Sequence, residues 1–294
     1  MTVFQGILLG ILQGVAEFLP ISSSGHLAVA QSLFGLDEIP LLFDVFLHLA
    51  TLAAVCLYFW RKIWELLKTL GRWICRSPKI KEGTSEYNAE LAKNDLYNRK
   101  MITAIILSTI VTGILGIISS KLIPNLSIKI TCCGFFITSL FLILSSYTEK
   151  KNSLKRKNSD NKIEQKSMQI HGISKLQAII IGFMQGIGTL PGISRSGSTI
   201  AGALFCGVDR TLAGEFSFII SIPAILGAFI LEVKDLGKVS SAIGAAPVIA
   251  GCSAAFAMGY ISLTFLMKVI KKGKLQYFAI YLIPLAILGL IFLK

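Results

Sequence analysis

Two stretches of this chain repeat one another, and both interrupt segments that are otherwise apolar. Residues 13–26 read QGVAEFLPISSSGH, and residues 185–199 read QGIGTLPGISRSGST. The glutamine that opens each stretch and the first serine after its proline keep the same spacing in both copies. Irregular backbone is tolerated at membrane depth only where protein encloses it or where it lines a water-filled cavity. The repeat therefore predicts two polar elbows that hold something polar inside a membrane protein.

The amount of apolar sequence indicates a membrane protein. Hydrophobic residues make up 53% of the 294 residues, and the mean hydropathy is +0.70, which is too apolar for an ordinary soluble domain. Several windows reach the ~20 apolar residues that cross a bilayer. We therefore predict an all-α polytopic membrane protein of one domain. The six cysteines show no C-x-x-C spacing, so neither a zinc site nor a disulfide framework is indicated.

Apolar segments divide the chain into two similar halves. Residues 1–148 form a first repeat and residues 176–294 a second, joined by a cytoplasmic linker at 149–175. Each half begins with a helical hairpin that is too short to span and is predicted to be re-entrant, at 3–35 and at 176–208. Each half continues with three predicted transmembrane helices, at about 41–60, 101–120 and 127–147 in the first and about 212–232, 245–267 and 275–293 in the second.

The net charge of +13 is concentrated in three segments between the predicted spans, at 61–100, 149–175 and 268–274. Placing all three in the cytoplasm satisfies the positive-inside rule, and basic loops beside anionic lipid explain the charge without a nucleic-acid partner. Because three spans per half is an odd number, the second repeat must then be inverted, and both termini lie outside. The hairpins enter from opposite sides, so the elbows meet near the midplane in a site that opens outward, as in membrane proteins that bind polar substrates.

Each elbow offers groups that bind anions. A helix begins after each break, and the free N–H groups and partial positive charge at such an end bind phosphate. Arg195 adds a planar cation that fits two phosphate oxygens at once, and an arginine inside a membrane chain is by default a functional candidate. We predict further phosphate contacts from hydroxyl groups and glycine backbone at the elbows, namely Ser22, Ser24, Gly25, Ser194, Ser196, Gly197 and Thr199.

Glu17 supplies the matching anion, and Gln13 shares its helix face because the two are four residues apart. A carboxylate beside a phosphate site is repulsive unless it holds a divalent cation, pairs with Arg195 or is protonated. Mg²⁺ and Ca²⁺ take oxygen ligands and commonly bridge carboxylate to phosphate. Glu17, with Gln13 as a second ligand, is therefore the candidate cation site. A structural ion pair between Glu17 and Arg195 is the alternative.

Ser23 and His26 are three residues apart on the first turn of a predicted helix, where their side chains can meet. A hydroxyl beside an imidazole is the minimum set for a nucleophile with a general base. The alternative is a capping serine beside an unrelated, packed histidine. His48 lies in the first predicted span, where it either lines the cavity or hydrogen-bonds between helices. Glycines at four-residue spacing before the first elbow indicate close helix packing.

The two motifs carry a family likeness. QGVAEFLPISSSGH in the first half and PGISRSGST in the second are similar to the motifs of the bacterial undecaprenyl-diphosphatase family, also called the bacitracin-resistance protein family. The resemblance extends over nearly the whole chain. It implies a phosphatase of the bacterial inner membrane whose substrate is a polyprenyl diphosphate lipid. The implied reaction converts undecaprenyl diphosphate to undecaprenyl phosphate and inorganic phosphate, which recycles the lipid carrier for cell-wall synthesis.

The resemblance also implies roles for single residues. The family's functional positions correspond to Gln13, Glu17, Ser23, His26, Ser194, Arg195, Ser196 and Thr199. The family is described as dependent on a divalent cation, which suits Glu17, whereas Gln13 stands where many members have Glu and removes one charge. Ser23 is the expected nucleophile with His26 as its base, and His26 as the nucleophile or as the base for a water stays open. The resemblance leaves a homo-oligomer open as well.

Two other classes of protein stand as alternatives to an enzyme. Inverted repeats with broken helices also describe carriers of anions, although a carrier needs no Ser–His pair. A structural membrane protein needs no polar groups at the midplane, so the two elbows count against it. Phosphate release by solubilised protein, with no membrane gradient, distinguishes the enzyme from the carrier.

Overall fold

The computed structural model describes residues 1–36, 41–75, 86–122, 128–158, 172–232 and 244–292. These residues form eleven helices and no β-strand. In chain order the helices are α1 (Val3–Phe18), α2 (Ser23–Leu33), α3 (Leu41–Tyr58), α4 (Trp60–Ile74), α5 (Glu86–Leu122), α6 (Ile128–Asn158), α7 (Lys175–Ile187), α8 (Arg195–Phe205), α9 (Arg210–Glu232), α10 (Ala245–Lys271) and α11 (Tyr277–Phe292).

Four helices in the described part of the chain are long and apolar enough to cross a membrane. They lie within α5, α6, α9 and α10, and a fifth span results if α3 and α4, which are bent by 82° at their junction, are taken as one. Helices α1, α7 and α11 are apolar but shorter. The prediction of an all-α, multi-span membrane protein is confirmed.

Two polar segments differ from their prediction as loops. Within 61–100 the chain forms α4 and the start of α5, and within 149–175 helix α6 continues to Asn158. Lysine, arginine and glutamate are good helix formers, so their abundance indicated solvent exposure but did not end the helices. Residues 76–85 and 159–171 of these segments lie outside the described residues.

Helix α1 packs along α10 through glycines, as the four-residue spacing predicts. A Cβ atom built at Gly10 would lie 2.1 Å from the carbonyl oxygen of Gly251, so no larger residue fits there. Helix α7 packs on α5 in the same way, and a Cβ atom at Gly182 would lie 2.6 Å from the carbonyl oxygen of Ser108. The Ser108 hydroxyl donates to the carbonyl of Ala178 at 2.7 Å across this contact. Close backbones and short interhelical hydrogen bonds are the usual means of association between membrane helices.

Neighbouring helices enclose the ends of α1 and α7. Helix α3 packs on α9 and α10, and helix α8 packs on α6 and α7. Phe18, the last residue of α1, is buried, and its ring meets that of Phe218 on α9 edge to face at 5.6 Å. The break after α1 therefore lies in the interior of the protein.

Candidate active site between the two elbows

The first elbow, residues 19–22, joins α1 to α2. It contains Pro20, which cannot continue a helix, and Ser22, which has φ 70° and ψ 93°. Ser22 is the one non-glycine residue with positive φ in the described part of the chain, and such a conformation is strained. Ser22 occupies the N-cap position, as the sequence indicates, but its side chain makes no capping hydrogen bond.

The second elbow, residues 188–194, joins α7 to α8 and has a regular cap. The Ser194 side chain accepts a hydrogen bond from the backbone N–H of Gly197 at 3.1 Å, which is the usual arrangement at a helix N-terminus. Gly192 has φ 84°, and a Cβ atom there would lie 1.9 Å from the carbonyl oxygen of Thr131 on α6. The Thr189 hydroxyl donates to the carbonyl of Gly186 at 2.7 Å. This elbow is held by its own backbone and by α6.

The two elbows lie against each other. The Ser196 hydroxyl on α8 donates to the carbonyl oxygen of Phe18 at 3.0 Å, which satisfies one of the carbonyls left unpaired at the end of α1. A Cβ atom at Gly197 would lie 3.1 Å from Cβ of Pro20. The breaks predicted from the repeated motif therefore meet, and the first turn of α8 faces the end of α1.

Glu17 is the centre of the site. Its carboxylate is buried, and Oε1 forms an ion pair with Nη2 of Arg195. Oε2 accepts hydrogen bonds from the Ser23 hydroxyl at 2.7 Å and from Nε2 of Gln13 at 3.0 Å. Nδ1 of His48 lies 3.1 Å from the same oxygen. One buried carboxylate thus gathers residues from both elbows and from α3, and Arg195 offsets its charge.

His48 belongs to the site, which the sequence left undecided. Besides its contact with Glu17, Nδ1 lies 2.8 Å from Nε2 of Gln13. Asp44, one helical turn earlier on α3, accepts a hydrogen bond from Nε2 of Gln31 on α2 at 2.7 Å. Sequence reasoning did not single out Asp44. Its signal was an acid within an apolar span, four residues before a histidine.

His26 contacts neither Ser23 nor Glu17 through a hydrogen bond that the structure describes. Nδ1 lies 2.8 Å from the carbonyl oxygen of Ser22, and because a carbonyl only accepts, Nδ1 carries the hydrogen in this contact. In the neutral ring Nε2 then accepts from the hydroxyl of Tyr281 on α11, which lies 2.8 Å away. The rings of His26 and Tyr281 stack at 5.7 Å. The sequence did not single out Tyr281, because its only signal is one hydroxyl group in a strongly apolar segment.

Polar atoms in this region are buried without a hydrogen-bond partner among the described residues. They include Nη1 of Arg195 and the hydroxyl of Ser198, which is one turn into α8. Most buried polar groups in proteins are paired, so an unpaired guanidinium nitrogen indicates a place for an anion. The arginine therefore has one nitrogen on Glu17 and another open to a ligand.

The other predicted phosphate contacts divide into two groups. Ser24 is exposed at the start of α2, and the hydroxyls of Ser22 and Ser24 are 3.5 Å apart. Gly25 is buried, and a Cβ atom there would lie 2.7 Å from the Phe135 ring. Thr199 is turned away from the elbows, because its hydroxyl contacts the backbone of α8 and the Ser217 hydroxyl. The structure thus brings Ser24 to the open side of the site and Thr199 to the interior.

Among the described residues around the elbows, Glu17 and Gln13 offer oxygen ligands to a divalent cation. No group of three or more His, Cys, Asp or Glu side chains within the described ranges could hold a metal ion. However, Oε1 of Gln13 is buried and has no hydrogen-bond partner among those residues. That oxygen and the Glu17 carboxylate fit a cation that arrives with further oxygen ligands from a diphosphate. Such a cation would replace at least one of the donors now on Glu17.

Comparison with known proteins gives one family. A sequence model described as bacitracin resistance protein BacA matches residues 6–288. A protein named undecaprenyl-diphosphatase from Treponema denticola is 47% identical over 98% of this chain and 96% of its own length. Proteins of the same name from Alkaliphilus metalliredigens and Methanosphaera stadtmanae are 40% and 36% identical, over 96% and 98% of this chain and 95% and 97% of their own lengths. The match covers both elbows and all of the helices between them.

Proposed function

This chain belongs to the bacitracin resistance protein BacA family, and on that premise we propose that it is an undecaprenyl-diphosphatase. It is an integral membrane phosphatase that converts undecaprenyl diphosphate to undecaprenyl phosphate and inorganic phosphate. The reaction recycles the lipid carrier of peptidoglycan synthesis and confers resistance to bacitracin. The observation that carries this proposal is the partly buried Arg195 between two helix starts, whose buried Nη1 has no hydrogen-bond partner in the described structure.

The diphosphate binds where the two elbows meet. Nη1 of Arg195 donates to a phosphate oxygen, and the N-termini of α2 and α8 add backbone N–H groups and a partial positive charge. Ser24 donates from the exposed side of the first elbow. The isoprenoid tail stays between helices in the lipid, because its transfer to water is unfavourable. These groups neutralise the charge that develops on the phosphate in an in-line displacement.

Ser23 is the nucleophile in this proposal, and Glu17 is its base. The Ser23 hydroxyl already donates to Oε2 of Glu17 at 2.7 Å, a distance suited to proton transfer. Oγ of Ser23 attacks the terminal phosphorus as its proton passes to Glu17. The bond from that phosphorus to the bridging oxygen breaks, and undecaprenyl phosphate leaves with the electron pair. The sequence-based assignment of His26 as the base for Ser23 is less well supported, because both ring nitrogens have other partners.

His26 acts in the second step. Water attacks the phosphoserine, the bond to Oγ of Ser23 breaks, and Glu17 returns its proton to Oγ. The water proton passes to the hydroxyl oxygen of Tyr281 as that hydroxyl gives its own proton to Nε2 of His26. The 2.8 Å contact between Nε2 and the Tyr281 hydroxyl supports this relay. His26 as a direct nucleophile is the alternative, and it predicts a phosphohistidine instead of a phosphoserine.

We also propose that a divalent cation, Mg²⁺ or Ca²⁺, takes part with Glu17 and Gln13 as protein ligands. When bound, it would offset charge on the diphosphate. Glu17→Gln removes the proposed base and should lower turnover, but it keeps an oxygen ligand while the charge is lost, so the cation concentration that gives half of the residual activity should rise. The measurement is a cation titration of the purified variant. Asp44→Asn, which neutralises a second acid, is the control and should keep the wild-type cation curve. If the residual activity of Glu17→Gln keeps the wild-type cation curve, Glu17 acts in proton transfer and not as a ligand.

The enzyme is distinguished from an anion carrier by phosphate release in detergent. We expect purified protein to release phosphate from undecaprenyl diphosphate with no membrane and no gradient. Ser23→Ala protein, purified in the same way, controls for contaminating phosphatases. Binding of the lipid without phosphate release would favour the carrier.

The proposed arrangement in the membrane is six spans and two re-entrant hairpins in two inverted repeats. Its support is the packing of α1 on α10 and of α7 on α5, in which the first helix of each half contacts the corresponding helix of the other half. In this arrangement the three basic segments are cytoplasmic, both termini are outside and the site opens outward. Labelling of Asn158→Cys in intact cells, in a variant without native cysteines, tests the orientation. Labelling from outside would contradict it.

A further inference from the structure

Helix α4 differs from the other described helices because it exposes tryptophan side chains. It follows α3 after a single residue, Phe59, and is inclined to α3 by 82°. All three tryptophans of the chain lie in or at the start of it, and each is at least 40% exposed: Trp60, Trp64 and Trp73. If α3 crosses the membrane, a helix at nearly a right angle to it lies along the membrane plane.

The inner face of α4 is fixed to α5 by polar contacts. Thr69 is buried, and its hydroxyl lies 3.4 Å from the side-chain nitrogen of Asn98. Nη2 of Arg72 donates to Asp95 at 2.8 Å, and Asp95 also accepts from Arg99 at 2.9 Å. Helix α4 is therefore held in one orientation, with one face against the protein and the others exposed.

The exposed part of α4 has an apolar stripe beside a basic stripe. Trp60, Trp64 and Leu67 are each more than half exposed, and their three- and four-residue spacing places them on one side of the helix. Arg61 and Lys68 lie next to this stripe. The Arg61 guanidinium is 5.5 Å from the Trp60 ring, and the Lys68 ammonium is 5.4 Å from the Trp64 ring. Apolar and cationic groups thus alternate along one edge.

We propose that α4 lies in the membrane interface and binds the headgroups of anionic phospholipids through Arg61 and Lys68. A helix with tryptophan on one face and lysine or arginine beside it is typical of interfacial binding. The tryptophan rings enter the boundary between headgroups and acyl chains, and the two cations reach the phosphate layer. Helix α4 has four basic residues and one acid in all, which favours anionic over zwitterionic lipid.

Other placements of α4 conflict with its side chains. In water the two tryptophans and Leu67 would form an exposed apolar patch, which soluble surfaces rarely carry. In the hydrocarbon core Arg61 and Lys68 would lie where charges are costly. This surface is remote in sequence from both elbows, so the inference does not depend on the proposed reaction.

Tryptophan fluorescence reports on α4 alone, because no tryptophan lies elsewhere in the chain. We would place the full-length protein in nanodiscs that contain phospholipids brominated either near the headgroup or near the middle of the acyl chain. Shallow bromine should quench the fluorescence more than deep bromine. Stronger quenching by deep bromine would place α4 in the core, and no quenching would place it in water; either result would overturn the proposal.

The preference for anionic lipid is measured by moving the shallow bromine between lipids at constant composition. Brominated phosphatidylglycerol should quench at least about twice as strongly as the same fraction of brominated phosphatidylcholine, because a bound headgroup holds its chains beside the tryptophans. In Arg61→Gln/Lys68→Gln the two lipids should quench equally. The charge-preserving Arg61→Lys/Lys68→Arg should keep the preference, as should Lys271→Gln/Lys272→Gln, which removes two charges at the C-terminal end of α10. Equal quenching in the wild-type protein would overturn the anionic preference.

Discussion

The two elbows have nearly the same sequence pattern but different structures. The second elbow is closed by a regular cap at Ser194 and packs closely against α6 at Gly192. The first has no side-chain cap, and Ser22 is held at a positive φ. A strained elbow next to a regularly capped one fits a division of roles in the proposed reaction. There the second elbow positions Arg195, and the first presents Ser23 to the substrate.

Equivalent positions in the two copies converge on one carboxylate. Ser23 and Arg195 occupy the same place in the repeated motif, and both contact Glu17, on opposite oxygens. A duplicated helix start has therefore provided two approaches to a single acid. One copy supplies a hydroxyl and the other a guanidinium. A phosphoryl transfer can use the first as the attacking group and the second to stabilise negative charge on the phosphate.

Gln13 and Gln185 occupy equivalent positions in the two copies of the motif but have different roles, because their neighbours differ. Gln185 donates to the hydroxyl of Thr112 at 3.0 Å and joins α7 to α5. Gln13 donates instead to Glu17, and its amide also meets His48. The motif places threonine where the first copy has Glu17. The same amide thus stabilises packing in one half and orients a carboxylate in the other.

The largest effect should come from removing the hydroxyl of Ser23, which directly follows the first elbow. In Ser23→Ala we expect turnover to fall by about a thousandfold or more, because an enzyme without its nucleophile retains only the stabilisation from binding. Phosphate release from undecaprenyl diphosphate measures this. Ser32→Ala, at an exposed position on the same helix, is the control and should keep wild-type turnover. If Ser23→Ala keeps more than a tenth of the activity while His26→Ala is inactive, His26 is the nucleophile.

The equivalent position of the second elbow should have the next largest effect. Arg195→Lys keeps the charge but cannot hold Glu17 and a phosphate oxygen with separate nitrogens of one planar group. We expect turnover to fall by about tenfold to a hundredfold, or about 1.4 kcal/mol for each tenfold, in protein that purifies normally. Arg210→Lys is the control. It alters the first residue of α9, which pairs with Glu149, and should leave turnover unchanged. Aggregation of Arg195→Lys but not of Arg210→Lys would mean that Arg195 is structural.

A smaller effect should follow from a change outside both elbows. Tyr281→Phe removes the hydroxyl on Nε2 of His26 but keeps the stacked ring. We expect turnover to fall by about threefold to tenfold with little change in KM, because binding energy is kept and proton transfer is impaired. Tyr277→Phe, one turn earlier on α11, keeps the ring contact with Lys274 and is the control. An equal loss in both variants would assign the effect to the packing of α11.

The sequence predicted the two breaks. Around Glu17 it placed Gln13 and offered Arg195 as an ion-pair partner, but it paired Ser23 with His26 and left His48 undecided. A repeated Gly, Pro and Ser pattern inside apolar segments requires a broken helix, and an acid with an arginine in such breaks requires pairing. The same reasoning could not find Tyr281, because α11 is apolar and reaches His26 only through the fold. It also misread α4 as loop, because its basic residues suggested solvent, and it did not weigh Trp60 and Trp64, which favour lipid. An interface satisfies both.

The positive φ of Ser22 was likewise beyond the sequence, and it gives the smallest test of the comparison. Glycine adopts positive φ without the steric cost that a Cβ atom imposes. Ser22→Gly should therefore stabilise the protein by about 0.5–1 kcal/mol, since relief of strain exceeds the entropy that glycine adds to the unfolded chain. Ser194→Gly removes a capping hydrogen bond from a residue with φ −73°, and it should destabilise by a few tenths to about 1 kcal/mol.

Thermal unfolding of both glycine variants in the same detergent, followed by circular dichroism, measures the difference between the elbows. Opposite shifts in Tm are expected, each of roughly 1 to 4 °C for a chain of this size. Ser22→Gly keeps the backbone carbonyl that accepts a hydrogen bond from His26, so this hydrogen bond is present in both the wild-type protein and the variant. Equal and negative shifts would show that Ser22 is not strained and that the two elbows are held alike. Opposite shifts would mean that the first elbow stores free energy beside the nucleophile, at a position where its partner copy stores none.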